Sequence, residues 1–463
     1  MKKYTKNSNR IKHIIFMLLT LFSALVLSVN VTAADIGEYF TNPLFLAGIY
    51  ILILMTLMFI AFIIVARKSR KASSDYEEKA AGPEADFSAY SVKEESKKPE
   101  QERKSRFNML SDIDDYMLRE YKGTHFNDSI PLNKFCELFR NFAANKLNLY
   151  YDIGDIRSFI SGMAVSHFIL MQGMSGTGKT SLAYAFGQFV KNNSVIVPIQ
   201  PMWKESSDMI GYYNEFTHRF NETNLLGALY KANYTDELYI IVLDEINISR
   251  VEYYFAEFLS LLELPNPEDR KIRIMSDKSD GDPRKLINGE IKIPTNIWFI
   301  GTANNDDSTF AISDKVYDRA MIVNLDKKAE IFDAPMANPM SISGDYFNRL
   351  AGNASSEYSM TDRNRRRIAE FDRYLMKNFH IAFGNRIMRQ MEKYVSVYIA
   401  CGGKETDAID DIVSKKILRK LESQNPVYVR NAIGGVYEFL DELFGKESMP
   451  RCREYLNRIE MSV

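Results

Sequence analysis

Three cysteines, Cys136, Cys401 and Cys452, stand far apart in the 463 residues, and none falls at CxxC spacing. That pattern argues against a zinc site or a disulfide framework. Scattered thiols suit a reducing compartment, where they serve as small buried hydrophobes. Charge of one sign is also missing: 59 Lys+Arg stand against 60 Asp+Glu. A general nucleic-acid binder would carry a basic excess, so the balance argues against that class and leaves room only for a local patch. There is no internal repeat. There is no LSGGQ-like stretch, which disfavours an ABC transporter ATPase. Apolar residues make up 46% of the chain, an ordinary share for one that buries a sizeable core.

Two long apolar runs are present, both near the start. Lys2, Lys3, Lys6, Arg10 and Lys12 precede a run from Ile14 to Val29, followed by Val31-Thr32-Ala33-Ala34. Residues 1–33 therefore read either as a signal peptide or as a first transmembrane helix. Residues 44–66, LFLAGIYILILMTLMFIAFIIVA, carry no charge. About 23 residues at roughly 1.5 Å each cover a hydrocarbon core of about 30 Å, so this run predicts a transmembrane helix. Arg67, Lys68, Arg70 and Lys71 follow it, whereas Asp35 and Glu38 precede it. The positive-inside rule then puts the body of the chain on the cytoplasmic side of a membrane, under either reading of the first run. Residues 67–104 are highly charged, nearly free of large aliphatics and broken by Pro83 and Pro99. They predict a disordered tether.

Three further regions follow. Residues 105–164 show apolar spacing of three and four, the helical period. Residues 165–326 alternate strand and helix signals, which predicts a parallel α/β sheet. Residues 327–463 read as helical again.

The strongest chemical signal lies at the start of the alternating region. An apolar run, His167 to Leu170, leads into Gly173-Met174-Ser175-Gly176-Thr177-Gly178-Lys179-Thr180, and Ser181 opens a helical pattern. This is the phosphate-binding GxxxxGK[ST] loop. Its glycines let successive backbone N–H groups point at a phosphate, and the helix N-terminus adds a positive dipole end. Lys179 reaches the β- and γ-phosphates, and the Thr180 hydroxyl ligates Mg²⁺. The cofactors expected are a nucleoside triphosphate and Mg²⁺.

Downstream, the buried-strand run Tyr239 to Leu243 ends in Asp244-Glu245. Ligands of open α/β sheets lie at such strand ends. Asp244 is expected to hold the metal, and Glu245 to orient and deprotonate the attacking water. A third strand, Asn296 to Ile300, ends in GTANNDD, which puts Asn304 beside Asp244. Arg319 precedes a last apolar strand, Met321 to Val323.

Four stretches together resemble the AAA+ ATPases, closest to the McrB-like branch and its MoxR- and dynein-related kin. They are LMQGMSGTGKTSLAYAF, PMWKESSDMIGYYNEFTHRFNET, IIVLDEINISRVEYYFAEFLSLLE and FIGTANNDDSTFAISDKVYDRA. The resemblance spans about residues 150–325, weakly to 421. It implies an α/β P-loop core, a parallel sheet flanked by helices, with a C-terminal helical lid behind the N-terminal transmembrane segments. It further implies that Asn304 is the sensor-1 residue and Arg319 an arginine finger offered to a neighbour in a ring, usually a hexamer. Arg386, in FGNRIMRQM, matches a sensor-2 arginine of the lid, and residues 208–223 match a hairpin insertion that tends to line the pore. The chain departs from the restriction GTPases of that branch: ANNDDST stands where they carry an MNTADRS-like stretch, which favours ATP over GTP. A membrane anchor also takes the place of their DNA-binding domain.

The function expected is a membrane-anchored ATPase that remodels a protein partner. The alternatives are a restriction or defence motor working with a nuclease partner, and a nucleotide-gated scaffold without useful turnover. A nucleic-acid partner is left open, since Lys204, His218 and Arg219 make no strong basic cluster. Two patterns carry bland readings. Tyr253-Tyr254-Phe255 with Phe258-Leu259 predicts a core-facing helix, and the basic run Arg363 to Arg367 predicts a solvated helix face.

Overall fold

The computed structural model describes residues 105–304 and 309–462. The apolar runs within 1–66 and the tether 67–104 lie outside them. Among the described residues, no helix is long and apolar enough to cross a membrane.

Three helices come first: α1 (Met109–Arg119), α2 (Leu132–Leu147) and α3 (Ile153–Val165). The α/β region follows with β1 (Phe168–Gly173), α4 (Lys179–Phe189), β2 (Val195–Pro198), α5 (Ser206–Ile210), the hairpin β3 (Gly211–Asn214) and β4 (Arg219–Glu222), α6 (Asn224–Lys231) and β5 (Tyr239–Asp244). It continues with α7 (Val251–Tyr254), α8 (Ala256–Leu261), a second hairpin of β6 (Lys271–Arg273) and β7 (Glu290–Lys292), β8 (Ile297–Asn304), α9 (Asp314–Arg319) and β9 (Met321–Asn324). The rest is helical: α10 (Gly344–Glu357), α11 (Asp362–Phe379), α12 (Asn385–Ala400), α13 (Glu405–Ile412), a π-turn (Val413–Ile417), a 3₁₀ turn (Leu418–Ser423), α14 (Pro426–Phe444) and α15 (Pro450–Ser462).

The sheet is parallel, in the order β2-β5-β8-β1-β9. Its inner strands read as unbroken apolar runs because both faces are covered. The period of two is still present within each run. Ile169 and Met171, Ile240 and Val242, and Trp298 and Ile300 join one core, with α2, α3, α4 and the C-terminal helices. Phe168 and Leu170, Ile241 and Leu243, and Ile297 and Phe299 join a second core, with α6, α7, α8 and the second hairpin. The predicted core face is seen in Tyr254, Phe255, Phe258 and Leu259, all buried, whereas Tyr253 is exposed. On α11, Arg363 and Arg366 are exposed, while Arg365 is half-buried and pairs with Asp362 and Glu392.

The three thiols are free and buried. Cys136 of α2 and Cys401 at the end of α12 touch each other across 265 residues, and burial holds the Cys136 thiol well above its ordinary range. Neither the second hairpin nor the π-turn is marked by a motif or an apolar pattern in the sequence.

Candidate functional site

The phosphate loop begins where β1 ends. Gly173 has φ of +144°, and a Cβ there would sit 2.2 Å from the Leu325 carbonyl oxygen. Glycine is required because the chain leaving β9 passes directly over it. Gly178, at φ of +92°, is the N-cap of α4. Its carbonyl accepts a 3.0 Å hydrogen bond from the Tyr151 hydroxyl, and Tyr151 is 4% exposed. The residue just ahead of α3 thus braces the loop from below. Tyr151 carries no motif of its own.

Lys179, the first residue of α4, is 7% exposed. Its Nζ donates to the carbonyls of Gly173 at 3.0 Å and Met174 at 2.8 Å. The ammonium is thereby held over the concavity of its own loop. Met174, Ser175 and Gly176 are exposed, Thr177 is half-buried, and the Thr177 hydroxyl donates back to the Met174 carbonyl at 2.9 Å. Thr180 and Ser181 open the second position of α4 and beyond, and both are half-buried.

A short polar chain runs along the carboxyl ends of three strands. The Thr180 hydroxyl donates to Asp244 Oδ1 at 2.7 Å. The Thr302 hydroxyl donates to the same oxygen at 2.7 Å. The Glu245 backbone N–H donates in turn to Thr302 Oγ1 at 3.0 Å. Glu245 is exposed and has φ of +53°, an uncommon conformation for a residue with a side chain. Such strain clusters at functional sites, where the surroundings enforce it. Here the Thr302 hydroxyl holds the Glu245 amide, and the Tyr254 hydroxyl holds the Ile246 carbonyl at 2.6 Å.

Asn304 is the last residue of β8 rather than a loop residue, because β8 stays paired with β1 to its end. In that register Asn304 lies opposite Gly173. Asn247, 5% exposed, donates to the Asn304 carbonyl at 3.1 Å and to Thr309 Oγ1 at 2.8 Å. This side chain ties the segment after β5 to the end of β8.

The donor set fits Mg²⁺. Thr180 Oγ1 and Asp244 Oδ1 are hard oxygens within 2.7 Å of each other, at the mouth of the loop. Mg²⁺ takes few protein ligands and keeps several waters, which suits one hydroxyl and one carboxylate beside a bound phosphate chain.

Arg319 is placed elsewhere. Its carbonyl accepts from Ser166 Oγ at 3.2 Å, and Met321 is level with Ile169 in β1. It therefore lies at the amino edge of the sheet. From Phe168 at that edge to Gly173 the strand β1 climbs five steps, roughly 16 Å at the usual rise per residue. Its Nε is 3.1 Å from Glu263 Oε2. Arg386 meets the same carboxylate, with its guanidinium 2.9 Å from Glu263 Oε1. The structure therefore groups Arg386 with Arg319 and does not bring it to the phosphate loop, where a lid arginine acting on its own nucleotide would stand.

A charged cavity of about 210 Å³ lies between the start of α3, the end of β9 and the C-terminal helices, lined by Asp155, Asp326, Asp411, Lys415 and Arg451 among others. No phosphate-loop residue lines it.

Residues 168–320 match a family model described as an AAA domain of the dynein-related subfamily. The core is similar to AAA domains. Residues 340–462 match a second model, described as a domain of unknown function, DUF8727. No curated protein matches the chain. Two solved structures resemble it at low identity. One, from Cytophaga hutchinsonii ATCC 33406, is described as a proposed ATPase: it is 13% identical, with 66% of this chain and 85% of that one covered, at a TM-score of 0.38. The other is a full-length MCM homolog from Methanopyrus kandleri, 8% identical, with 69% of this chain and 61% of that one covered, at a TM-score of 0.33. The match to the AAA domain model thus spans β1 to α9, and the helical region after it matches the second model.

Proposed function

We propose that this chain is a membrane-anchored ATPase that works as a ring and remodels a protein partner. The observation that carries the reading is the division of the catalytic groups. The loop, Asp244, Glu245 and Asn304 share the carboxyl edge of the sheet, while Arg319 stands at the amino edge, farther from Gly173 than its side chain can reach. An arginine there completes a site only on a neighbouring subunit.

The residues then take the following parts. Backbone N–H groups of Gly176 to Lys179 and the Lys179 ammonium bind the phosphates, once Lys179 leaves its two loop carbonyls. Thr180 and Asp244 would hold a Mg²⁺ ion, which would supply charge neutralisation to the phosphates. Glu245 orients a water and accepts its proton as the water oxygen bonds to the γ-phosphorus and the bond to the β–γ bridging oxygen breaks. Asn304 contacts the γ-phosphate or that water. Arg319 of an adjacent subunit steadies the charge on the transferring group, and Arg386, which shares Glu263 with it, faces the same neighbouring site.

The hairpin β3–β4 favours a polypeptide as the object of this work. Phe216 at its tip is 98% exposed and Tyr212 is 56% exposed. Acidic residues (Glu205, Asp208, Glu215, Glu222) balance Lys204, His218 and Arg219 around it, so no basic surface accompanies the aromatics. The anchor rests on the apolar run 44–66, and the preference for ATP on ANNDDST.

Steady-state ATP and GTP hydrolysis by the full-length chain, measured across protein concentration, tests the reading. Turnover per subunit should rise cooperatively with concentration, favour ATP, and vanish in Glu245→Gln and in Arg319→Ala. Nucleotide binding without turnover at any concentration contradicts it and supports a nucleotide-gated scaffold.

A further inference from the structure

The helical region that follows the AAA core touches it at one mechanically telling place, the helix that presents Arg319. The π-turn Val413–Ile417 is buried throughout. Turns of this kind are rare and often mark functional positions. Here two successive lysines leave it toward different partners. Lys415 Nζ donates to Ser158 Oγ at 2.8 Å and to Asp411 Oδ2 at 2.7 Å, which ties the turn to α3. Lys416 Nζ donates to the Tyr317 carbonyl at 2.8 Å and the Asp318 carbonyl at 3.2 Å. These are the two peptide carbonyls just before Arg319.

Two more cations from the next turn hold the same short helix. The Arg419 guanidinium lies 3.6 Å over the Tyr317 ring and pairs with Asp314. Lys420 stands 3.7 Å from Asp318. On its other side α9 is tied to the phosphate-loop strand, where Gln172 Nε2 donates to the Tyr317 hydroxyl at 2.6 Å. Three cations at positions 416, 419 and 420 thus grip a six-residue helix through its carboxylates, its aromatic ring and its terminal carbonyls. A cation at a helix C-terminus satisfies orphan carbonyls and complements the dipole. Lys416 is 3% exposed, and a buried ammonium is costly unless it does something specific. Burial lowers it to about 7.

We infer that Lys416 is a positioning residue for Arg319, and that the 340–462 region serves as the holder of the arginine finger. The inference rests on the reading of Arg319 as a finger acting on a neighbour. Lys416 fixes the last turn of α9, and the last turn fixes where Arg319 leaves the subunit. A finger displaced by an ångström loses much of its effect on the transferring phosphoryl group.

The experiment uses the full-length chain with Lys416→Met, which keeps the length of the side chain and removes its donors. Turnover should fall by on the order of ten- to a hundredfold, as expected for a misplaced catalytic group, while ATP binding measured with a fluorescent analogue stays at the wild-type affinity. Mixed rings then locate the defect. Glu245→Gln subunits lack the base but carry an intact finger, so mixing them with Lys416→Met subunits should raise turnover above either alone. Arg319→Ala subunits bring no finger, so mixing them with Lys416→Met should give no gain. Wild-type turnover in Lys416→Met, a loss of ATP affinity, or rescue by Arg319→Ala in place of Glu245→Gln would each overturn the inference. Should Lys416→Met fail to fold, Arg419→Gln carries the same comparison, since it loosens the same helix from a side chain nearer the surface. The underlying reading has its own control: Arg319→Ala mixed with Glu245→Gln must recover turnover, and its failure to do so overturns the finger reading itself.

Discussion

At the residue scale, the site is organised by hydroxyls as much as by carboxylates. Asp244 Oδ1 accepts from Thr180 and from Thr302, and Thr302 also receives the Glu245 amide. Thr302 therefore couples the Asp244 carboxylate, the proposed metal ligand, to the backbone of Glu245, the proposed base. Replacing it with Val keeps the shape and the strand preference but removes both bonds. The expected result for Thr302→Val is a loss of about one order of magnitude in turnover, less than the roughly 10²–10⁴ that a base itself contributes. Its thermal midpoint should stay near that of the wild type, and paired stopped-flow and melting measurements would show the two effects apart. Lys179, Thr180, Asp244 and Glu245 were legible in the sequence because each belongs to an ordered motif. Thr302 and Tyr151 were not. A threonine inside a strand reads as strand preference, and a tyrosine before a helix reads as core. Only the fold brings them to Asp244 and Gly178.

At the scale of elements, the apolar runs foretold β1, β5, β8 and β9. The hairpin over 208–223 was implied by the resemblance alone, and β3 and β4 pair within it. The end of β8 was not, because GTAN has no apolar signature. Asn304 belongs to the strand since its neighbours in β1 continue to pair with it. Arg386 shows a different limit: a short lid-like pattern fixed its helix, but the packing of α12 carries it to Glu263. The start of β1 offers a test of how the elements are joined. His167 Nδ1 lies 3.0 Å from the Ile297 carbonyl, and the ring packs on Trp298. Burial lowers this imidazole from about 6.5 to about 4. The folded chain then binds fewer protons than the unfolded one between those values, so the contribution is fully present above pH 6.5 and is lost as pH falls toward 4. Urea midpoints measured down that window should drop more steeply for the wild type than for His167→Phe. Parallel slopes in the two proteins would refute the assignment.

At the scale of the whole molecule, the α/β core and the helical region after it meet at one short helix, α9. The loop strand holds Tyr317 through Gln172, the π-turn holds Tyr317 and Asp318 through Lys416, and Arg319 follows directly. The strand that leads into the loop and the helices after β9 thus both hold one short helix. No sequence pattern announces this arrangement, because Lys415-Lys416 reads as a pair of surface charges until the fold buries them.

Catalysis shared between subunits is tested most directly by mixing two inactive proteins. Full-length Glu245→Gln and Arg319→Ala chains, each without turnover alone, should recover ATP hydrolysis when combined in equal parts, because the first supplies the finger and the second the base. Hydrolysis that stays absent across all mixing ratios, with both chains folded and binding ATP, would contradict the account.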